Sequence, residues 1–328
     1  MDSLIFALNA VAPIVIMVAI GYVLKKMGWM TVPFAKAANK LVFHLFLPAM
    51  LFLNVYKIED LSKIEFDYIA YVMIMTLVVF FGALPVVLLV AKKRERRGAL
   101  WQASFRSNYA LVGIPLAQAL FGDGGVLIAT LLSAVFVPAI NILAVVSLTV
   151  FRNDGERPSI KKLLLGILKN PLIQSVLLGL AVLGIRALFA QTGISFRLSD
   201  VKPIFKVLEY LAPLATPIAL LALGAQFEFS AVSEMRREIT FGVLMRTVVV
   251  PMIGIGTAYI FFCGQFTGAH FAAFVAAFAT PVSISSVPMA QEMDADATLA
   301  GQLVVWSTLF SAFSVFLTSF LLRAAGIF

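Results

Sequence analysis

Two stretches of this chain combine helix breakers with small polar side chains. The first, WQASFRSNYALVGIPLAQALFG, carries Arg106, Ser107, Asn108, Tyr109, Gly113, Ile114 and Pro115. The second, GAHFAAFVAAFATPVSISSVPMAQEM, carries Thr280, Pro281, Ser283, Ser285, Ser286 and Pro288. A proline in a helix interior removes a backbone donor and clashes with the carbonyl four residues back, at a cost of about 3 kcal/mol. In hydrocarbon the freed carbonyls find no water, so a break persists only where protein or a wet cavity satisfies it. A break also creates new helix ends, and each N-terminal tip presents oriented N–H groups equivalent to roughly +0.5 charge. Two tips meeting at mid-membrane, beside serine, threonine and asparagine, would bind a carboxylate or a similar anion. The bland alternative is a pair of proline kinks whose serines bond their own backbone.

The elements that must position these stretches are membrane spans. Of 328 residues, 61% are hydrophobic and 13% charged, and the mean hydropathy is +1.00. An ordinary soluble domain has about 25% charged residues. This composition excludes a cytosolic enzyme, a disordered chain and a secreted disulfide scaffold, and leaves lipid as the main solvent. A bilayer core about 30 Å thick takes about 20 helical residues. Apolar runs of that length predict ten spans, at 3–24, 37–56, 68–91, 101–120, 125–150, 170–187, 204–227, 239–262, 268–291 and 297–322. The expected fold class is an all-α polytopic membrane protein.

Lys and Arg number 25 against 17 Asp and Glu, a net charge of +8. Sixteen of the basic residues fall in one set of alternate loops and seven in the other, with Arg106 and Arg246 inside spans. The larger set should face the cytoplasm, which puts both termini outside. Basic clusters between apolar runs point to lipid headgroups as partners, not to nucleic acid.

The chain also repeats. Pro13 precedes Gly21 by the same eight residues as Pro171 precedes Gly179, and prolines 48, 85 and 115 are followed in order by prolines 217, 251 and 281. The halves are 1–150 and 170–328, joined by a cytoplasmic linker, 151–169, whose basic and apolar second half suits an interfacial helix. Halves of five spans must have opposite topology, and inverted repeats are the common architecture of secondary transporters. The two interrupted spans are the fourth and ninth, at corresponding positions.

The segment Asn108-Tyr109-Ala110-Leu111-Val112-Gly113-Ile114-Pro115-Leu116, with Gly122 beyond it, resembles the fourth span of the auxin efflux carrier family. Asn39-Lys40 leading to Pro48 resembles its second span, and Lys169-Asn170-Pro171-Leu172-Ile173 its sixth. Pro281 to Ala290, with Ser307-Thr308, is similar to spans nine and ten of bacterial members. The resemblance covers the whole chain. It implies ten helices as two inverted five-helix repeats, with helices four and nine unwound and crossed at the substrate site, and a scaffold of spans one, two, six and seven. It also implies a homodimer in a bacterial inner membrane that moves a small organic anion, malonate-like or malate-like, by alternating access. The residues it points to are Asn108, Tyr109, Gly113, Ile114, Pro115, Thr280, Pro281, Ser283, Ser285 and Ser286. Plant carriers usually have proline where Ser286 stands and a long central loop where this chain has about nineteen residues, so a small carboxylate is expected here, not auxin.

Other ionisable residues have two readings each. Arg106 and Arg246 are either counter-charges for the anion or side chains snorkelling to the interface. Glu209 is a proton-coupling carboxylate or the partner of Lys206 on a helix surface. His44 carries a proton or is a buried structural histidine. Asn141 and Gln118 line a cavity or bond between helices. Cys263 is expected to be a small buried hydrophobe, and Asp294 and Asp296 to meet solvent or a helix N-terminus. With two histidines and one cysteine no metal site is expected. No cofactor is expected beyond a coupling proton or sodium ion. Enzyme chemistry is not expected, since no nucleophile–base pair is evident. The alternatives are a bile acid:sodium symporter-like carrier and a non-transporting membrane receptor.

Overall fold

Backbone polar groups in lipid must be satisfied internally, which favours helix wherever the chain is apolar. The computed structural model describes residues 2–57, 66–152, 160–193 and 195–328, and these are helical almost throughout. Helix α1 covers Asp2–Lys26. Helices α2 (Val32–Leu41) and α3 (Leu47–Tyr56) are joined by a π turn, Val42–Phe46, into one span. Then come α4 (Phe66–Val90) and α5 (Arg94–Phe105). A π turn, Tyr109–Gly113, runs directly into α6 (Ile114–Val150). Helix α6 is kinked at Phe121 and Gly122, and Gly122 has φ +57°, a conformation that favours glycine.

The second half begins with α7 (Ile160–Leu168) and α8 (Pro171–Gln191). Helices α9 (Lys202–Leu211) and α10 (Ala215–Gln226) are joined through a 3₁₀ turn. The short α11 (Ala231–Glu234) precedes α12 (Arg236–Leu244), which continues through two π turns into α13 (Thr257–Phe262). Helices α14 (Gly268–Phe278), α15 (Ser286–Glu292) and α16 (Ala297–Ala324) complete the chain. Segment 153–159 of the expected linker lies outside the described residues. Its second half is helical, as α7.

Seven helical runs among the described residues are long and apolar enough to cross a membrane, where ten spans were expected. Expected span four is broken after α5, of 12 residues, and its remainder is parted from span five only by the non-helical Phe121 and Gly122, within a run of 42 residues. Expected span nine is broken into pieces of 11 and 7 residues. Helix α1 has the length, 25 residues, but residues 2–11 are described by backbone alone.

Pro115, read from the sequence as a helix breaker, does not break its helix, and neither do Pro48 and Pro251. The π turns at Val42–Phe46, Tyr109–Gly113 and Met245–Val249 each end two residues before a proline, Pro48, Pro115 or Pro251. One widened turn shifts the hydrogen-bond ladder, so the missing proline donor is accommodated without interruption.

Helices meet closely where side chains are small, as expected in membranes. A Cβ on Gly21 would lie 2.2 Å from the Leu221 carbonyl oxygen, and one on Gly224 would lie 2.0 Å from that of Val18, so α1 and α10 touch backbone to backbone. At one end of the bundle Arg96 of α5 joins three acidic side chains from the second half. Its guanidinium donates to Glu234 at 2.5 Å, Asp296 at 3.1 Å and Glu238 at 3.3 Å. Burial acts to lower the Arg96 pKa, but Glu234, Asp296 and Glu238 outweigh it and hold it above its ordinary value. Glu234 is held below the usual carboxylate range by Arg96 and then by Lys93. Asp296 also accepts from the Leu299 amide as N-cap of α16, and Asp294 pairs with Arg152 at 2.9 Å. Cys263 is exposed just beyond α13, contrary to expectation, because the helix ends one residue earlier.

Candidate functional site

Helix α5 ends at Phe105, and helix resumes at Tyr109. Between them Arg106 is extended, with φ −84° and ψ 105°. Helix α14 ends at Phe278 and α15 begins at Ser286. The two unwound segments meet and pair. Ser107 and Val282 form an isolated antiparallel bridge, in which the Asn108 amide donates to the Pro281 carbonyl at 2.8 Å and the Ser283 amide to the Arg106 carbonyl at 3.2 Å. Each break thereby supplies hydrogen bonds that the other lacks, in a region where water is scarce.

Neighbouring side chains hold the crossing. The Val282 amide donates to Ser307 Oγ of α16 at 3.0 Å, and Gln102 Nε2 donates to the Ser286 carbonyl at 3.2 Å. Arg246, from the π turn after α12, is fully buried. Its guanidinium donates to the carbonyls of Thr280 at 2.7 Å, Ala277 at 2.8 Å and Phe105 at 3.3 Å. These oxygens lie at the C-terminal ends of both interrupted helices, where carbonyls lack intrahelical partners and the dipole is negative. Arg246 therefore fastens the two breaks to each other and neither snorkels nor faces the cavity.

The cavity lies on the other side of the crossing. It measures about 50 Å³, room for a few waters or a carboxylate-sized group. Residues 106–111, Asn141 and Ser283–Ser285 line one wall, and α3 and α10 line the opposite one with Leu47, Met50, Leu51, Ala215 and Ala219. Arg106 is 2% exposed. Its Nη2 donates to Asn141 Oδ1 at 2.6 Å and Ser285 Oγ at 2.7 Å, and its Nη1 to Ser286 Oγ at 3.4 Å and Gln102 Oε1 at 3.5 Å. All four acceptors are neutral. The reading of Arg106 as a snorkelling side chain is corrected, because α5 starts at Arg94 and carries Arg106 more than three turns in.

Three donors here have no hydrogen-bond partner among the described residues: Arg106 Nε, Ser107 Oγ and Asn108 Nδ2. All belong to buried residues. Asn108 occupies the N-cap position of the following helix but makes no side-chain capping bond, so its amide group stays available. The first backbone amides of that helix, at residues that line the cavity, also lack intrahelical acceptors. All three of these buried groups can donate, which suits an anion.

The expected site residues divide. Asn108, Tyr109, Ser283 and Ser285 line the cavity, and Ser286 reaches it through Arg106. Gly113 lies just beyond, against α14, where a Cβ would be 2.8 Å from the Ala276 carbonyl oxygen. Ile114 and Pro115 do not line it, and Pro115 is exposed on the outer face of α6. Thr280 donates to its own helix at Ala276, and Pro281 contributes only its carbonyl. Glu209 is an exposed partner of Lys206 at 3.2 Å. His44 is not buried: its side chain is 48% exposed, with Nδ1 3.0 Å from the Lys40 carbonyl oxygen and 3.7 Å from Glu292. Gln118 is exposed, whereas Asn141 lines the cavity. Ser107 and Ser307, which the sequence marks only as parts of motifs, and Gln102, which it does not mark, also belong to the site. Ser107 carried a local signal, since it sits between two residues already singled out.

A second polar hollow, about 240 Å³, lies at the far end of α10 and α15, among Lys36, Gln226, Glu228, Gln291 and Gln302. There α2 is tied to α15, with Asn39 Nδ2 donating to Gln291 Oε1 at 3.1 Å and Gln291 Nε2 to the Lys36 carbonyl at 3.0 Å. A larger cleft, about 1020 Å³, lies between α12–α13 and α16 and is walled largely by apolar side chains such as Leu244, Met252 and Phe313.

The close contact at Gly113 yields a test of the crossing. Gly113→Val is expected to wedge the helix after Tyr109 away from α14 and lower transport at least about tenfold, since misplacement by about 1 Å can cost about 100-fold. Gly82→Val, at a site where a Cβ meets nothing within 4 Å, should leave transport unchanged. Uptake into vesicles at matched protein density measures both.

A family model described as membrane transport protein matches residues 6–319. An uncharacterized transporter of Methanothermobacter thermautotrophicus is 23% identical over 320 residues, covering 96% of this chain and 98% of that protein. An uncharacterized transporter of Methanocaldococcus jannaschii is 27% identical over 226 residues, covering 66% of this chain and 68% of that protein.

Proposed function

Because this chain belongs to the membrane transport protein family, the family of the auxin efflux carriers, and is a membrane-spanning transporter, we propose that it carries small carboxylate anions of the malonate or malate kind. The observation that carries this reading is the set of three buried, unpartnered donors on consecutive residues 106–108, beside a guanidinium with only neutral partners. A buried charge without a counter-charge is costly. A carboxylate entering the cavity supplies that counter-charge and an acceptor for donors that lack one.

The carrier works by alternating access around the crossing. Support comes from the two polar hollows, which lie at opposite ends of α10 and α15. The ties from Asn39, Lys36 and His44 to α15 close the end beside the second hollow.

The ten-helix inverted repeat is part of this proposal. The runs Val32–Tyr56 and Lys202–Gln226 are both 25 residues long, and each is interrupted by a tightened or widened turn before a proline. Gly21 of α1 packs on α10, and in the same manner Gly179 of α8 packs on α3, with a Cβ 2.9 Å from Val55. Paired halves related by inversion produce such exchanged contacts. An inner-membrane location with both termini outside, a homodimer, and coupling to protons or sodium complete the reading.

The test is flux. Purified protein in liposomes should accumulate radiolabelled malonate or malate when a proton or a sodium gradient is imposed, and the gradient that drives uptake identifies the coupling ion. Binding of these anions without movement under either gradient, or by preloaded exchange, would make the protein a receptor and end the proposal.

A further inference from the structure

We propose that the crossing accepts a single negative charge, so that it takes a monocarboxylate, or a dicarboxylate bearing one proton, and rejects the dianion. The inference rests on the reading of the crossing as an anion site and concerns the charge that site tolerates.

The first argument is a count of charges. Among the residues lining the cavity Arg106 is the one cation and there is no carboxylate, histidine or lysine. Tyr109 is the other titratable side chain there, and its hydroxyl donates to the Ala129 carbonyl at 2.8 Å. Behind the crossing, Arg246 is engaged with three carbonyls, whose partial negative charge it offsets. The site therefore presents one uncompensated positive charge. One anionic charge neutralises it. A second would sit in a low-dielectric interior with no partner, which is unfavourable by several kcal/mol in general.

The second argument is a count of donors. The buried unpartnered side-chain donors all sit on residues 106–108, beside the first amides of the following helix, so the free donors gather on one wall and answer one carboxylate, which has two oxygens and about four acceptor positions. The other polar groups nearby are already engaged. Asn141 Nδ2 donates to the Val137 carbonyl at 2.7 Å, and the Ser283 and Ser285 hydroxyls bond each other at 2.9 Å. The facing wall offers Leu47, Met50, Leu51, Ala215 and Ala219, with Asn54 and Thr216 as neutral polar positions. That wall suits a methyl, a hydroxyl, an ester or a protonated acid, and it has no cation to answer a second carboxylate.

Malonate and its monomethyl ester test this directly, since the pair share a skeleton and differ in charge near neutral pH. Binding to the purified full-length chain is measured by thermal shift or calorimetry at about pH 8 and at about pH 5, the lower value protonating one malonate carboxyl. At about pH 8 the monoester should bind at least tenfold more tightly than malonate. At about pH 5 malonate should close most of that gap while the monoester changes little. In Arg106→Gln binding of the monoester should fall at least tenfold. Equal binding of both at about pH 8 would overturn the one-charge limit while leaving the anion site intact. Binding of neither at either pH would overturn both.

Discussion

Replacing Arg246 by leucine should dismantle the centre of the protein. Its three acceptors, Phe105, Ala277 and Thr280, are carbonyls at interrupted helix ends in a buried region. Without the guanidinium each carbonyl loses its partner, at about 1–3 kcal/mol apiece. Removing a buried cation recovers some desolvation free energy, but the stranded carbonyls remain, so the net change is destabilising. The expected readouts are a lower thermal midpoint in detergent, loss of a monodisperse species and no transport. Lysine keeps the charge but lacks the planar fork that reaches several acceptors, so Arg246→Lys should fall between. A thermal midpoint for Arg246→Leu equal to that of the unaltered protein would refute the fastening role.

Arg106→Gln should do the opposite to stability. Its acceptors are Asn141, Ser285, Ser286 and Gln102, side chains that can rebond among themselves or with a glutamine. The substitution also removes a buried charge that has no anionic partner. Stability should therefore hold or rise. Transport should fall about ten- to a hundredfold, the equivalent of losing a charge-assisted hydrogen bond of about 1.5–3 kcal/mol. The two arginines each sit inside an expected span and look alike in sequence, yet they should separate cleanly when thermal midpoint is set beside uptake. A large loss of stability in Arg106→Gln would show that Arg106 is a structural fastener too.

Much of this arrangement is legible in the sequence. Apolar run length locates the spans, because lipid leaves the backbone little choice but helix. The clusters at 106–115 and 280–288 mark the two interruptions, and Asn108, Ser283 and Ser285 line the cavity between them. The points of interruption are less legible. Pro115 looked like a breaker, but the π turn before it lets the helix continue, and the chain unwinds instead at Arg106–Asn108. The depth of Arg106 was obscured because α5 begins inside a basic run, Arg94–Arg97, that reads as a loop. That run can enter a helix because Arg96 finds Glu234, Glu238 and Asp296, all more than 130 residues away. Arg246 is hidden for the same reason: its acceptors are backbone atoms brought together only by the folded crossing.

The bridge between Ser107 and Val282, clamped from behind by Arg246, leaves the pocket no hinge of its own. In the proposed cycle the crossing moves as one piece past α3 and α10, which form the facing wall. Cargo should accordingly keep its contacts with residues 106–108 and exchange those with the facing wall. The speed of the cycle should then follow the viscosity of the surrounding bilayer.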